Sequence, residues 1–269
     1  MAITARDAQL LRRFTSRLPP AFSRRLRDYR QPALLRALRR ELRRRPDAAA
    51  GFDALEGMTS REAQALFFRL LLPVTEFFRD PAAFAALDAL LPQRPLRLLS
   101  APCAGGEETW SLAALCAAHP RRAGSRVLGV DLHGPSLLKA HAGVYPRRAA
   151  VKLSPAQQAL LFAGADGAVP GKVAIHPQLR WLASFRRLDL LARFPAGPFD
   201  LIACRNLLIY LDAPARRRLI ESAVHALAPD GLLFLGGAEG LPLPAGTLGL
   251  VSLSPHKIYR LRTSAEAVA

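Results

Sequence analysis

The stretch that most constrains the fold is residues 96–115, LRLLSAPCAGGEETWSLAAL, which reads as a buried strand, a turn of small residues and a helix opening on two carboxylates. Leu96, Leu98 and Leu99 have the apolar density of a central strand, and Ala104, Gly105 and Gly106 let backbone approach a ligand without a Cβ collision. Glu107 and Glu108 fall in the first helical turn, where the macrodipole favours negative charge. Doubly wound α/β domains hold nucleotide-like ligands on such a unit. A plain tight turn before an acidic helix start has the same pattern, so the rest of the chain has to decide.

The 269 residues suffice for one large α/β domain and a small helical one. No N-terminal signal-peptide core is present, and the least charged long stretch, 231–253, is interrupted by Glu239, Pro242, Pro244 and several glycines. A soluble cytoplasmic protein without membrane insertion is expected. Cys103, Cys116 and Cys204 have neither metal-ligand spacing nor a disulfide framework, so reduced, structural cysteines and no metal are expected. The formal charge of +17 raises nucleic acid or an acidic protein surface as partners. Fourteen arginines fall within the first 46 residues, against Asp7, Asp28 and Glu41.

Part of that excess lies on residues 34–45, where Leu35, Leu38 and Leu42 have helical spacing and Arg36, Arg39, Arg40, Arg43 and Arg44 occupy the rest of the circumference. Such a helix presents either a solvated face or a face for an acidic partner helix. Pro46 and Asp47 close it. A second helix is expected over 61–72, with Leu66, Phe67, Leu70 and Leu71 apolar. Asp80-Pro81 predicts a helix start, the Asp side chain capping and the Pro presetting φ; Phe84, Leu87 and Leu91 form its buried side. Residues 74–79 then form a linker of defined shape, in which Phe77 and Phe78 are packing residues.

Residues 126–131, RVLGVD, predict the second strand, and Asp131 at its end suits either a grip on ribose hydroxyls or a cap on the next helix. A helix with Leu137, Leu138 and Ala140 follows, then a turn at 143–146. Over 151–190 the βα rhythm lapses: a short helix near 155–162, a glycine-rich connection and two short strands at 172–176 and 180–184 predict a small antiparallel hairpin. FDLIAC at 199–204 returns to buried-strand character; Asp212 and Pro214 open a helix; 231–235 is a strand, and 248–252 with 258–261 are final antiparallel strands.

Taken in order, VTEFFRDPAAF at 74–84, SAPCAGGEETWSLA at 100–113, the strand ending in Asp131, AGVYP at 142–146, FDLIACRNLLIYLD at 199–212 and PDGLLFLGGAE at 229–239 resemble CheR, the family of chemotaxis-receptor protein-glutamate methyltransferases. The resemblance spans essentially the whole chain. It implies an α/β fold: a class I S-adenosylmethionine methyltransferase (Rossmann-like) sheet with an N-terminal helical domain and a small inserted β-subdomain. The helical, arginine-rich, receptor-facing domain would be 1–73, the linker and first helix 74–95, and the methyltransferase domain 96–269 with its β-subdomain at about 163–185. The implied activity is methyl transfer from S-adenosyl-L-methionine to glutamate carboxylates of a chemoreceptor cytoplasmic domain, leaving S-adenosyl-L-homocysteine. The implied partners are receptor helices at the basic N-terminal helix and a receptor C-terminal peptide at the β-subdomain, bound by a monomer recruited to receptor arrays.

By the same resemblance, cofactor contacts fall on Thr75, Arg79, Glu108, Asp131, Asp189, Leu190, Asn206 and Leu207, with Arg79, Arg205 and Tyr210 at the reaction centre. Asp131 would hold the ribose, Glu108 would meet the methionine amino end or organise the turn, and Asp189 with Leu190 would border the adenine. The chain departs from the family pattern at Pro73 and Asp189-Leu190, where asparagines are common, at His133 for a second acidic residue, and at Gly237-Ala238 for a His-Ser pair. Glutamate, with an unperturbed pKa of about 4.3, is already an anion near neutral pH, so its methylation needs no general base. Arg79 is therefore expected to position groups, Tyr210 to orient the substrate, and alignment to supply most of the catalysis. Two rival readings are a nucleic-acid methyltransferase, disfavoured because CRNLLIY stands where base-amine enzymes carry an Asn/Asp-Pro-Pro-aromatic segment, and a non-catalytic S-adenosylmethionine-binding scaffold.

Overall fold

The computed structural model describes residues 4–44, 55–71, 75–164 and 170–262. Pro46, Asp47, Pro73, Val74 and the centre of the glycine-rich connection lie outside them. The chain divides into two compact units, one of residues 1–73 with 208–216, the other of residues 74–207 with 217–269.

The first unit contains α1 (Ala5–Arg17), α2 (Pro20–Arg25), α3 (Gln31–Leu42) and α4 (Ser60–Leu71). Thr4 and Asp7 form a reciprocal capping box on α1, whose Leu10 and Phe14 are buried. In α3 the buried stripe is Leu34, Leu35, Ala37, Leu38 and Leu42, as the 3.6-residue period requires. Phe22 meets Phe67 and Phe68 edge to face at 5.2 and 5.4 Å. Residues 208–216 join this unit through backbone: Arg30 N–H donates to the Tyr210 carbonyl at 2.8 Å and Asp212 N–H to that of Asp28 at 2.9 Å.

The second unit runs α5 (Pro81–Leu90), β1 (Arg97–Ser100), α6 (Glu107–Ala117), β2 (Arg126–Asp131), α7 (Gly134–Ala142), β3 (Val144–Pro146), α8 (Pro155–Leu161), β4 (Lys172–Ala174), α9 (Pro177–Arg180), β5 (Ala183–Arg187) and β6 (Phe199–Cys204). Then follow α10 (Ala213–His225), which begins in residues of the first unit, β7 (Leu227–Leu235), β8 (Leu250–Ser254) and β9 (Ile258–Leu261). Seven strands form one sheet in the order β5-β2-β1-β6-β7-β9-β8. The first five are mutually parallel, and β9 pairs antiparallel with β7 and β8. α6 is buried from Glu107 to Cys116, as a helix apolar on most of its circumference should be, and with Leu98, Leu201 and Phe234 it makes the core. Arg122, fully buried, pairs with Asp88 and donates to the carbonyls of Asp88 and Leu91, two acceptors that the C-terminal end of α5 leaves without helical partners.

Three local expectations are corrected. Residues 172–176 and 180–184 do not form a hairpin: β4 pairs antiparallel with β3, and β5 is the parallel edge strand beside β2. Pro177, behind a His176 cap, starts α9 and turns the chain, and Phe185 then packs against Trp110 of α6 at 5.2 Å. Residues 144–146 are strand rather than turn, with Tyr145 completely buried and Pro146 at the strand end, where its missing N–H costs least. Asp80 precedes α5 in the left-handed region, at φ 63°, and its side chain makes no cap hydrogen bond.

Candidate active site

Strand order reverses between β1 and β6, and in open α/β sheets ligands bind beyond the carboxyl ends of the strands at that point. The residues there come from the β1–α6 turn, the end of β2 and the segment after β6.

The turn is held from several sides. Cys103 N–H donates to the Val130 carbonyl at 2.8 Å, and Ala104 N–H donates to Asp131 Oδ2 at 2.8 Å. Ala104 and Gly106 have φ of 44° and 89°. A Cβ on Gly106 would lie 2.7 Å from that of Ala140, and one on Gly105 would lie 2.6 Å from Glu107 Oε2. Gly106 is thus required by its positive φ and by close packing on Ala140, whereas the neighbours of Gly105 are the tips of two flexible side chains. Tyr145 Oη donates to the Gly105 carbonyl at 2.7 Å. Lys139 Nζ pairs with Glu107 Oε1 at 2.5 Å and sits 4.8 Å from the centre of the Tyr145 ring. Burial pushes the Glu107 carboxyl up and the Tyr145 phenol strongly up.

Asp131, buried at the end of β2, accepts from Ala104 N–H on one oxygen and from His133 N–H, at 2.8 Å, on the other. A carboxylate has about four acceptor sites, so with backbone bonds from Ala104, His133 and Leu132 Asp131 keeps capacity for a ligand hydroxyl. Burial raises its pKa, against the backbone bonds from His133, Ala104 and Leu132.

Beneath the reversal point lies a buried charged chain. Ser100 Oγ donates to Glu108 Oε1 at 2.8 Å, and Arg205 Nη1 donates to Glu108 Oε2 at 3.3 Å. Arg205 Nη2 reaches Asp80 Oδ2 at 2.5 Å and the Arg79 carbonyl at 3.2 Å. The guanidinium lies 4.4 Å from the ring centre of Phe234 and 5.6 Å from that of Phe84. Burial raises the Glu108 pKa, and the Arg205 charge opposes it. Arg205 is therefore spent on internal partners and positions the Arg79–Asp80 segment. Both Glu108 oxygens are engaged, by Ser100 and by Arg205.

Asn206 follows at φ 63°, and its N–H donates to Glu239 Oε2 at 2.8 Å; Gly236 N–H donates to the same oxygen at 2.7 Å. Thr75, Arg79, Leu190 and Leu207 are half-buried. Asp189, also half-buried, accepts from Leu191 N–H at 3.1 Å, and Leu188 N–H donates to the Asp131 carbonyl at 2.9 Å, which holds the segment after β5 beside the end of β2. Phe78 N–H donates to Ser111 Oγ at 2.9 Å, and Phe77 stacks edge to face on Tyr145 at 4.9 Å, which fixes both as packing residues. Tyr210 is half-buried in a short 3₁₀ turn counted with the first unit. Ser100, Lys139, Tyr145 and Glu239 were not singled out from the sequence. Among them only Tyr145 carried a signal, an aromatic between Gly143 and Pro146.

A parallel sheet with an acceptor carboxylate at the end of β2 and a tightly held turn after β1 defines a domain of the adenosine-cofactor type. Residues 73–253 match the CheR methyltransferase SAM-binding domain, and the chain belongs to that family. The cofactor it is built for is S-adenosylmethionine. Among curated proteins, the chain is 36% identical over 226 residues to a probable biofilm formation methyltransferase, WspC, of Pseudomonas putida, covering 75% of this chain and 50% of that protein. It is 34% identical over 204 residues to chemotaxis protein methyltransferase 1 of Pseudomonas aeruginosa, covering 70% and 73%. With the chemotaxis protein methyltransferase of Klebsiella aerogenes the identity is 37% over 186 residues, covering 67% and 64%. The chain thus spans half the length of the first of these relatives and about two thirds to three quarters of the others.

Proposed function

We propose that this protein methylates glutamate side chains on the cytoplasmic domain of a chemoreceptor, using S-adenosyl-L-methionine and forming glutamate methyl esters. The observation that carries the reading is Asp131, a buried carboxylate at the end of β2 with acceptor capacity left beyond its backbone bonds, beside the turn after β1. The relatives named as chemotaxis protein methyltransferases support the reaction class. When bound, the cofactor supplies a methyl group on a sulfonium. Asp131 would hold its ribose, Thr75 and Arg79 its methionine end, and Asp189 with Leu190 its adenine, Asn206 and Leu207 completing the lining. The substrate carboxylate is ionised near neutral pH, so these residues have no proton to remove. Their work is alignment and exclusion of water. Arg205 fixes the backbone that carries Arg79.

The exposed arginines of α3, Arg36, Arg40 and Arg43, would meet acidic receptor helices, which would bring the protein to receptor arrays. The two-stranded β3–β4 element is the candidate seat for a receptor C-terminal peptide.

The test is transfer of a radiolabelled methyl group to a purified receptor cytoplasmic fragment. Base-labile label on glutamate is the expected result. Label that resists base, or appears on nucleic acid, would overturn it; cofactor binding without transfer would favour the scaffold reading.

A further inference from the structure

α6 and α7 pack on one face of β1, β2 and β5. The other face of this parallel region has no such layer within its own unit, because the connection from β5 to β6, residues 188–198, contains no helix among its described residues. Parallel sheets ordinarily carry helices on both faces. Strand alternation turns Val127 and Phe185 toward α6, and Leu128, Ser184 and Arg186 the other way. Register puts Arg97 beside Arg126 and Leu128 beside Ser184.

The result is a groove of about 370 Å³, floored by Leu128, Leu188 and Phe199 and walled by Pro195. Four arginines rim it: Arg97, Arg126, Arg186 and Arg193, all exposed. Arg97 lies over the Phe199 ring at 5.4 Å, and Arg126 donates only to the carbonyls of Gly124 and Ser125. Among the described residues none of the four forms an ion pair, and no carboxylate lines the groove.

We propose that this face docks an acidic amphipathic helix of a partner protein. The argument rests on charge and on layer geometry. Four uncompensated guanidinium groups around an apolar floor match an apolar stripe flanked by Asp and Glu, the pattern of a hydrophobic interface centre with a charged rim. A helix is also the element that this position in a doubly wound sheet ordinarily takes. A phosphate compound is the weaker match: guanidinium groups would bind it, but it has no use for the apolar floor of Leu128, Leu188 and Phe199.

The experiment selects a phage-displayed peptide library on the full chain and, in parallel, on the R186E/R193E double variant. It reads binding and not methyl transfer, so its failure is separate from that of the proposed activity. Peptides enriched only on the unaltered protein should carry apolar residues at helical spacing flanked by carboxylates. A labelled peptide from that set should bind on the order of tenfold more weakly to R186E/R193E. Ser184→Trp, which keeps every arginine and fills the floor, should weaken it as much, while R36E/R40E/R43E on α3 should leave it unchanged. Cofactor affinity and melting temperature, unaltered in all variants, verify folding. Equal enrichment on both baits, binding that follows the α3 arginines, or full affinity in Ser184→Trp would overturn the proposal.

Discussion

Arginine is used in opposite ways in the two units. On and just after α3, Arg36, Arg40 and Arg43 are exposed, and the pairs that do form, Arg39 with Asp7 and Arg40 and Arg44 with Glu41, have their arginines at the surface. In the sheet unit Arg205 and Arg122 are buried: Arg205 divides its guanidinium between two carboxylates, Asp80 and Glu108, and the Arg79 carbonyl, and Arg122 between Asp88 and backbone carbonyls. A net charge counts all of them alike. Desolvation does not: a buried guanidinium needs its charge answered, as Arg205 is at Nη1 and Nη2 even though its Nε has no partner among the described residues, whereas an exposed one adds little to the fold and keeps its field for a partner.

The largest effect should come from removing a buried arginine. Arg205→Ala leaves Glu108 buried beside Ser100 without its cation, and should destabilise the sheet unit by about 3–5 kcal/mol, read by urea denaturation. Its pH dependence has a definite sign. The Glu108 pKa is already raised by burial, and losing Arg205 raises it further, so the carboxyl is protonated over a wider range. Stability is then retained below the ordinary carboxylate pKa and lost as pH rises through the folded one. The penalty should be smallest in acid and grow toward neutrality; a pH-independent penalty would mean that Arg205 acts through its packing on Phe84 and Phe234.

That network also marks the limit of what local sequence conveys. The strands β1, β2 and β6, the helix after Gly106 and the capping Asp212 were legible because each depends on periodicity or on neighbours a few positions away. Asp212 accepts from Ala215 N–H at 2.8 Å, the cap that its position predicts. Asp80 has the same local signature and behaves differently, because its left-handed backbone turns the carboxylate to Arg205, 125 positions later. The glycines of the β1–α6 turn were legible as glycines, but the cause at Gly106, contact with Ala140 of α7, was not. β5 was misread for a related reason: its pairing with β2 is set by Phe185 against α6, a contact absent from the strand's own alternation.

Next in size is Asp131→Asn, the carboxylate counterpart of the buried-arginine test. The amide sets its NH2 donor against the backbone N–H of Ala104 or His133, which in the unaltered protein donates to a carboxylate oxygen, and it removes charge from the ribose position. Cofactor affinity by calorimetry should fall on the order of 10- to 100-fold. In the unaltered protein, affinity should decline as pH drops through the Asp131 pKa, which burial places above the ordinary aspartate value. In the Asn variant that decline should vanish. A surviving decline would assign it to another group.

Tyr145→Phe removes a single neutral donor and leaves the Gly105 carbonyl without that bond. A loss of about 1 kcal/mol in stability is expected, with cofactor affinity lowered a few-fold as the turn loosens. If stability falls and affinity does not, the phenol serves the fold alone.

The smallest structural effect, and the sharpest use of the comparison, belongs to α3. Reversing Arg36, Arg40 and Arg43 to Glu touches exposed groups and should change stability by no more than about 0.5 kcal/mol per site. Arg39→Glu should differ, because it sets a second carboxylate against Asp7, whose pKa is held low by its bonds to Thr4 and, after them, by Arg39 itself. If the exposed three serve a receptor, their reversal slows methylation of a receptor fragment and flattens its salt dependence, with cofactor affinity intact. Arg39→Glu would instead lower the melting temperature of the helical unit. Should the two variants behave alike, exposure would not be what separates a docking arginine from a structural one, and the contrast between the units would fail.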